Sequence, residues 1–434
     1  MDIAVVSGLV LVVLIAVLLL ARVPIAVTIG LAAFLAIAVV IGLDSATFVA
    51  AQRLTAGMNS TTLLAIPLFI LAGTIMNNGG IARRLIDAAE VMVGRMPGSL
   101  AQTNVVANGL FGSVSGAAVA SAAAVGTVMS PRQKEQGYTP AFAAAVNVAS
   151  APAGMLIPPS NTLIIYSLVS GTSIAALFTA GYIPGLLWML TCAVVVWLYT
   201  RRDPELKQSL KLSLPVAVAT LARALPAIFM VVVVIGGILV GFFTPTESAA
   251  IAVVYSLLLS MIYRSVQVRD MPEILLTATK TTVIVLLLVG VSAVLSWAMA
   301  ISGIPSALAD LMLGLTDSPT VILLIIMVAL LIIGTFLDPT PAILIFVPIL
   351  LPIVTEFGVD PVHFGIMVTF NLSLGTITPP VGVTLFVGSK VGDTPIEPLV
   401  RRLLPFFAAL VVTLLVIVFI PELSLWLPGV LGAE

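Results

Sequence analysis

Two short stretches, residues 154–160 (GMLIPPS) and 375–381 (GTITPPV), each pair adjacent prolines with a glycine four residues upstream, inside apolar runs. Proline in a helix interior removes a hydrogen bond and costs about 3 kcal/mol or more. A helix broken this way frees carbonyl oxygens that can coordinate a cation, and it presents a half-helix N-terminus that can face an anion. A second irregular stretch precedes each break: GSVSG at 112–116 and GTFLDPTP at 334–341. Hydroxyls cluster at the same two places, on Ser113, Ser115, Ser160, Thr335 and Thr378. Each can also bond back to its own helix. Asp338 is flanked by apolar residues on both sides. A carboxylate at membrane depth marks function by default. Asp-Pro is also a favourable helix start, and capping and ligand contact can coexist at such a tip.

The residues offer little for covalent or acid–base catalysis. His363 is the only histidine and Cys192 the only cysteine, with no HExxH and no Ser/His or paired-Asp arrangement. An intramembrane hydrolase is therefore disfavoured, and no enzyme activity is expected. Cys192 has no partner for an internal disulfide and reads as packing.

These stretches must be positioned by membrane helices. The 434 residues are 60% hydrophobic and 9% charged, with a mean hydropathy of +1.24. Runs such as 3–21, 25–43 and 403–420 are each long enough to cross about 30 Å of hydrocarbon. The short alternating segments of a β-barrel are absent. Asp2 is the only charge before Arg22, which predicts a retained first span rather than a cleaved leader. A net charge of −1 points to no nucleic-acid partner.

Laid on itself at an offset of 221, the chain matches Pro131 with Pro352, Glu135 with Glu356, Gly137 with Gly358 and Pro140 with Pro361. Gly154 then meets Gly375, Pro158-Pro159 meet Pro379-Pro380, and Pro24 meets Pro245. At 223, Gly80-Ile81 and Leu85-x-Asp87 meet Gly303-Ile304 and Leu308-x-Asp310. Two copies are expected, 1–199 and 215–434, joined by a polar linker at 200–214. Lys and Arg flanking spans accumulate on the cytoplasmic side. With the linker (Arg201, Arg202, Lys207, Lys211) cytoplasmic, Pro245 lies outside, whereas Pro24, following Arg22, lies inside. No Lys or Arg occurs between Lys280 and Lys390, while the counterpart region carries Arg83, Arg84, Arg95, Arg132 and Lys134. The copies are therefore inverted; Arg53 is the exception, and the pattern assigns Arg223 to neither side.

The expected fold is an all-α polytopic membrane protein of two inverted repeats. Each repeat has a re-entrant helical hairpin (about 98–131 and 319–352) and a discontinuous helix (about 138–170 and 361–390). Paired breaks in inverted copies point to a secondary transporter with its site near the midplane, and enclosed breaks suit alternating access better than a pore. Asn147 and Asn371 are expected to tie helix to hairpin, and Glu247 to stabilise a helix N-terminus. The amphipathic segment 81–93 is expected along the inner interface, with Trp188, Trp197, Trp297 and Trp426 as interfacial anchors.

FGSVSG, GMLIPPSN, FTPTESAA and GTITPPVGV, in this order over essentially the whole chain, resemble the large membrane subunit of TRAP (tripartite ATP-independent periplasmic) transporters. The resemblance implies a multi-pass protein of the bacterial inner membrane. It would work with a small four-span membrane subunit, here a separate chain, and a periplasmic substrate-binding protein. The cargo would be an organic acid, a dicarboxylate or sugar acid, imported with two or more sodium ions by an elevator-like movement of the hairpins and their broken helices. One sodium would use Ser113, Ser115, Gly154, Ile157 and Pro159; a second would use Gly334, Gly375, Thr378 and Val381. Substrate would meet Ser115, Ser160 and Asp338. Ser160 faces Val381 across the repeat, so the half-sites cannot act identically. The nearest alternative is a stand-alone sodium- or proton-coupled dicarboxylate or ion transporter of related two-hairpin architecture.

Overall fold

The computed structural model describes residues 3–201, 214–307, 310 and 318–432. The helices of the first copy are α1 (Ile3–Leu20), α2 (Ile25–Ile41), α3 (Leu43–Met58), α4 (Ala65–Asn78) and α5 (Ile81–Val93). They continue as α6 (Ser99–Ser115), α7 (Ala118–Glu135), α8 (Pro140–Ser150), α9 (Asn161–Ser170) and α10 (Ile174–Thr200). The second copy supplies α11 (Leu214–Leu239), α12 (Pro245–Ile262), α13 (Met271–Ser302), α14 (Pro319–Gly334) and α15 (Pro339–Glu356). Then come α16 (Pro361–Gly375), α17 (Val383–Val391), α18 (Ile396–Phe419) and α19 (Glu422–Leu431). Residues 202–213 of the expected linker, with Arg202, Lys207 and Lys211, and the matched Leu308 lie outside the described residues.

Among the described residues, six helices are long and apolar enough to cross a bilayer, and α4 and α5 form a pair bent by 73°. The helix starts follow the chemistry at each end. Pro245 opens α12 behind Thr244, whose hydroxyl takes the Glu247 N–H while the Glu247 carboxylate takes the Thr244 N–H. This reciprocal cap satisfies two otherwise orphaned donors, and it gives Glu247 a structural job. Ser160 and Ser173 cap α9 and α10 in the same sense.

The packing exchanges partners between the copies. Helix α2 packs on α13 and α12 on α4; α8 packs on α18 and α16 on α10; α9 packs on α15 and α17 on α7. Such reciprocity is what a two-fold relation between the copies produces. At its centre α10 meets α18, and the Thr191 and Thr413 hydroxyls lie 2.7 Å apart. With the opposite charge bias of the two halves, this is an inverted-repeat membrane fold. Each copy carries a helical hairpin, α6–α7 or α14–α15, and a helix in two pieces, α8 with α9 or α16 with α17.

Two details depart from the sequence reading. Trp188 is no interfacial anchor: it is fully buried, its indole N–H donates to Ala149 O at 2.8 Å, and its ring lies 4.6 Å from that of Phe370. The apolar face of α5, with Ile81, Leu85 and Ile86 buried, packs on α6 and α11 rather than on lipid.

Candidate functional site

Each hairpin is closed against its own broken helix at a glycine pair. A Cβ built on Gly154 meets the Gly112 Cα at 2.2 Å, and one on Gly375 meets the Gly334 carbonyl carbon at 2.3 Å. Neither backbone can approach this closely with a side chain in between. The tips then span the breaks. Gly116, at φ +62° between α6 and α7, lies against Asn161, the first residue of α9. In the second copy the Gly382 N–H donates to Thr335 O at 3.3 Å. The tips differ in length, two residues (116–117) against four (335–338), and the longer one carries Asp338. The peptide bonds Pro158–Pro159 and Pro379–Pro380 are both cis.

Four helices begin around one cavity of about 200 Å³. It is lined by Ala118 of α7, Asn161 and Thr162 of α9, Asp338 and Thr340 of α15, and Val383 and Thr384 of α17. Thr376 and Met155 contribute from the breaks; Ile66 and Ile70 of α4 and Thr281 and Val285 of α13 close the far wall. Asp338 is the one charged residue in the lining, and no Lys or Arg reaches it. Its carboxylate also caps α15, accepting the Thr340 N–H at 3.3 Å. The Thr384 hydroxyl is fully buried without a partner. Four positive helix ends and several hydroxyls, with no ammonium or guanidinium, make a setting for an anion held by backbone N–H groups.

The residues singled out in the sequence fall into three groups. Asp338 lines the cavity. Ser113 and Ser115 end α6 beside the Gly112–Gly154 contact, and Gly334 meets Gly375 in the second copy. Ile157 lies against Gly185 of α10, and Pro159, Thr378 and Val381 belong to the breaks themselves. Ser113 and Thr378 donate back to Leu110 O and Leu374 O at 2.8 and 2.7 Å, which leaves their lone pairs free. The Ser115 hydroxyl is buried with no partner. Ser160 is turned away from the cavity: fully buried, it donates to Met155 O and accepts the Leu163 N–H. No three His, Cys, Asp or Glu side chains converge among the described residues, so a cation here would meet hydroxyl and carbonyl oxygens.

The first hairpin is fastened by buried amides. Asn108 Nδ2 lies 2.8 Å from Asn104 Oδ1, 3.0 Å from Asn147 Oδ1 and 2.8 Å from Ser150 Oγ, and Ser121 donates to Asn108 Oδ1 at 3.0 Å. Asn147 Nδ2 donates to Ala122 O, and in the second copy Asn371 Nδ2 donates to Met327 O. With Gly112 matched to Gly334 by their equivalent contacts, position 108 corresponds to Leu330, so only the first hairpin has the full network. Asn108→Leu strands the Ser121 and Asn147 partners. It should cost about 2 kcal/mol, since an unsatisfied buried group costs about 1–3 and an interhelical hydrogen bond in a membrane contributes less than in water. A fall of several degrees in the melting temperature of the detergent-solubilised chain checks this.

Sequence reading missed Asn161, Thr162, Thr340, Thr376 and Thr384. For Asn161, Thr162, Thr340 and Thr384 the available signal was their place in the first turn after a break or tip, where N–H groups are unpaired, while Thr376 ends α16 within the break itself. Thr281 had no local signal, because it belongs to an uninterrupted span.

Comparison with known proteins agrees with this architecture. The family model for the DctM component of tripartite ATP-independent periplasmic transporters matches residues 12–423. The uncharacterized protein YgiK of Salmonella typhimurium is 51% identical over 95% of both chains. The sialic acid TRAP transporter large permease protein SiaM of Vibrio cholerae is 39% identical over 87% of this chain and 89% of its own. The C4-dicarboxylate TRAP transporter large permease protein DctM of Pseudomonas aeruginosa is 39% identical over 86% of this chain and 87% of its own. Among solved structures, the Alcanivorax borkumensis YdaH transporter superposes with a TM-score of 0.61 over 88% of this chain and 89% of its own, at 14% identity, which speaks to fold alone. A multi-pass chain built on this fold, matched by permeases rather than enzymes along nearly its whole length, belongs to the DctM family, the large permease components of tripartite ATP-independent periplasmic transporters.

Proposed function

We propose that this permease imports an organic acid across the bacterial inner membrane together with sodium. A periplasmic binding protein delivers the acid, and a small four-span membrane subunit completes the assembly. The observation that carries this reading is the cavity where four helix N-termini meet without a cationic side chain. A carboxylate fits there, donated to by backbone N–H groups, while Asp338 and the threonines meet the hydroxyls of its remainder. Sialic acid and C4-dicarboxylates, which relatives are named for, set the range of cargo to try first.

Sodium is a second cargo. The orphaned Ser115 hydroxyl and the backbone oxygens at the two mirrored breaks offer the hard oxygen ligands such a cation takes. The cavity is walled on one side by hairpins and broken helices and on the other by α4 and α13. That division supports an elevator in which the first wall slides along the second. Two sodium ions with one monoanion carry one net charge inward. An inside-negative potential of 100 mV then supplies about 2.3 kcal/mol, or about fiftyfold accumulation.

The test is uptake of labelled sialic acid and succinate into liposomes holding this chain and its small subunit, with sodium gradient and binding protein supplied separately or together. Uptake that needs both is expected, and uptake of the monoanionic sialic acid should rise with an inside-negative potential. Sodium-driven uptake without the soluble protein would favour the stand-alone symporter; uptake that follows protons and ignores sodium would remove the sodium reading.

A further inference from the structure

A second polar basin lies away from the transport cavity, between α5 and α11. It holds about 220 Å³ and is lined by Arg84, Asp87, Glu90, Val91, Thr220 and Arg223. Arg132 of α7 reaches in from behind, 3.6 Å from Asp87 and 3.2 Å from Glu90. Three guanidinium groups therefore serve two carboxylates, leaving one net positive charge. Arg132 makes both ion pairs, so neither Arg84 nor Arg223 makes one among the described residues, and Arg223 is also exposed. Arg84 is held in place, its guanidinium 3.4 Å from the Tyr263 ring centroid and donating to Gly80 O at 3.1 Å.

The depth of the basin is fixed by its neighbours. Tyr263 ends α12 and its hydroxyl donates to Arg223 O at 3.5 Å, and Arg264 follows it in sequence. A tyrosine and arginines at a span's end mark the polar boundary of the bilayer, and the charge bias makes it the cytoplasmic one. One helical turn from Arg223, the Tyr255 hydroxyl donates to Pro226 O at 3.0 Å. Tyr255 in turn borders an apolar groove of about 300 Å³ with Ile251, Val254 and Leu258. The singly charged basin lies at headgroup depth, and the apolar groove begins along α12 toward the middle of the same span, where an acyl chain would run.

We propose that this basin binds the phosphodiester of a membrane phospholipid. Arg84 and Arg223 take the phosphate oxygens, Thr220 adds a hydroxyl, and an acyl chain lies along the α12 groove. One net positive charge matches the single negative charge of a phosphodiester, and a guanidinium pair suits its oxygens better than a point charge does. Because α5 packs on α6, the leading arm of the first hairpin, as well as on α11, a lipid held here joins the hairpin's approach helix to the second copy.

Native mass spectrometry of the full detergent-solubilised chain, titrated with phosphatidylglycerol and separately with inorganic phosphate, tests the site. One phosphatidylglycerol per chain is expected to persist where free phosphate does not. Arg223→Gln, at an exposed residue without an ion pair, should weaken retention at least about tenfold with an unchanged circular dichroism spectrum, and Arg95→Gln should not. Equal retention by Arg223→Gln would overturn the proposal. So would inorganic phosphate displacing the lipid at equal concentration, which would make the basin a site for soluble anions.

Discussion

Asp338→Asn should cut uptake of a hydroxylated acid such as sialic acid about a hundredfold while the protein folds and inserts normally. The side chain does two things. Its carboxylate accepts the Thr340 N–H at the start of α15, and it lines the cavity into which four helix N-termini open. Asparagine is as good an N-cap as aspartate, so this substitution leaves the cap and removes only the charge. If capping were the whole role, uptake would be untouched. If the carboxylate meets cargo, the loss is that of a hydrogen bond to a charged group, about 1.5–3 kcal/mol; about 2.7 kcal/mol corresponds to a hundredfold in rate at limiting substrate. Asp338→Ala loses both cap and charge and should also melt earlier. Initial uptake rates in proteoliposomes, read beside melting temperatures, separate the two. Full uptake by Asp338→Asn would reduce the residue to a helix cap.

The division between what the sequence disclosed and what it concealed has a physical basis. Glycines and prolines write their consequences locally: a Pro-Pro pair cannot continue a helix wherever it falls. The breaks after Met155 and after Gly375, and the tips at 116–117 and 335–338, were therefore legible from the chain alone. The two-fold exchange of packing partners was foreshadowed by the offset of 221, because equivalent prolines and glycines hold equivalent turns. The cavity lining is another matter. Thr162 and Thr384 lie in different copies and become neighbours only when α9 packs on α15 and α17 on α7. Thr281 faces them from a span with no break to draw notice. Ser160 shows the reverse failure: a hydroxyl beside a break looked available, yet its own turn uses it, through Met155 O and the Leu163 N–H. Trp188 misled for a related reason, since amphipathic rings suit an interface and equally suit a buried carbonyl such as Ala149 O.

Gly154→Ala and Gly375→Ala should each abolish sodium-driven uptake, to below about 1% of the unsubstituted protein. The added methyl would stand 2.2–2.4 Å from the Gly112 backbone in one case and 2.3–2.5 Å from the Gly334 backbone in the other. Backbone cannot rotate away as a side chain can, so hairpin and broken helix must part by about 1 Å. Oxygen ligands of a hard cation sit within a few tenths of an ångström of their preferred distance, and a displacement of that size removes them from its shell. Because the contacts are mirrored, damage at one break should leave the other half-site's geometry standing. Each single variant should then keep a reduced sodium-induced rise in melting temperature, and the double variant none. Gly236→Ala, whose methyl meets nothing within 4 Å, should behave like the unsubstituted chain. Ser115→Ala offers a milder probe should the glycine variants fail to accumulate. Removing a buried hydroxyl that lacks a partner relieves a desolvation cost in sodium-free buffer. That variant should therefore melt no earlier than the parent without sodium, yet gain less when sodium is added. Undiminished sodium stabilisation in both Ser115→Ala and Gly154→Ala would show that the first break holds no cation. The glycine contact would then serve only to pack the hairpin.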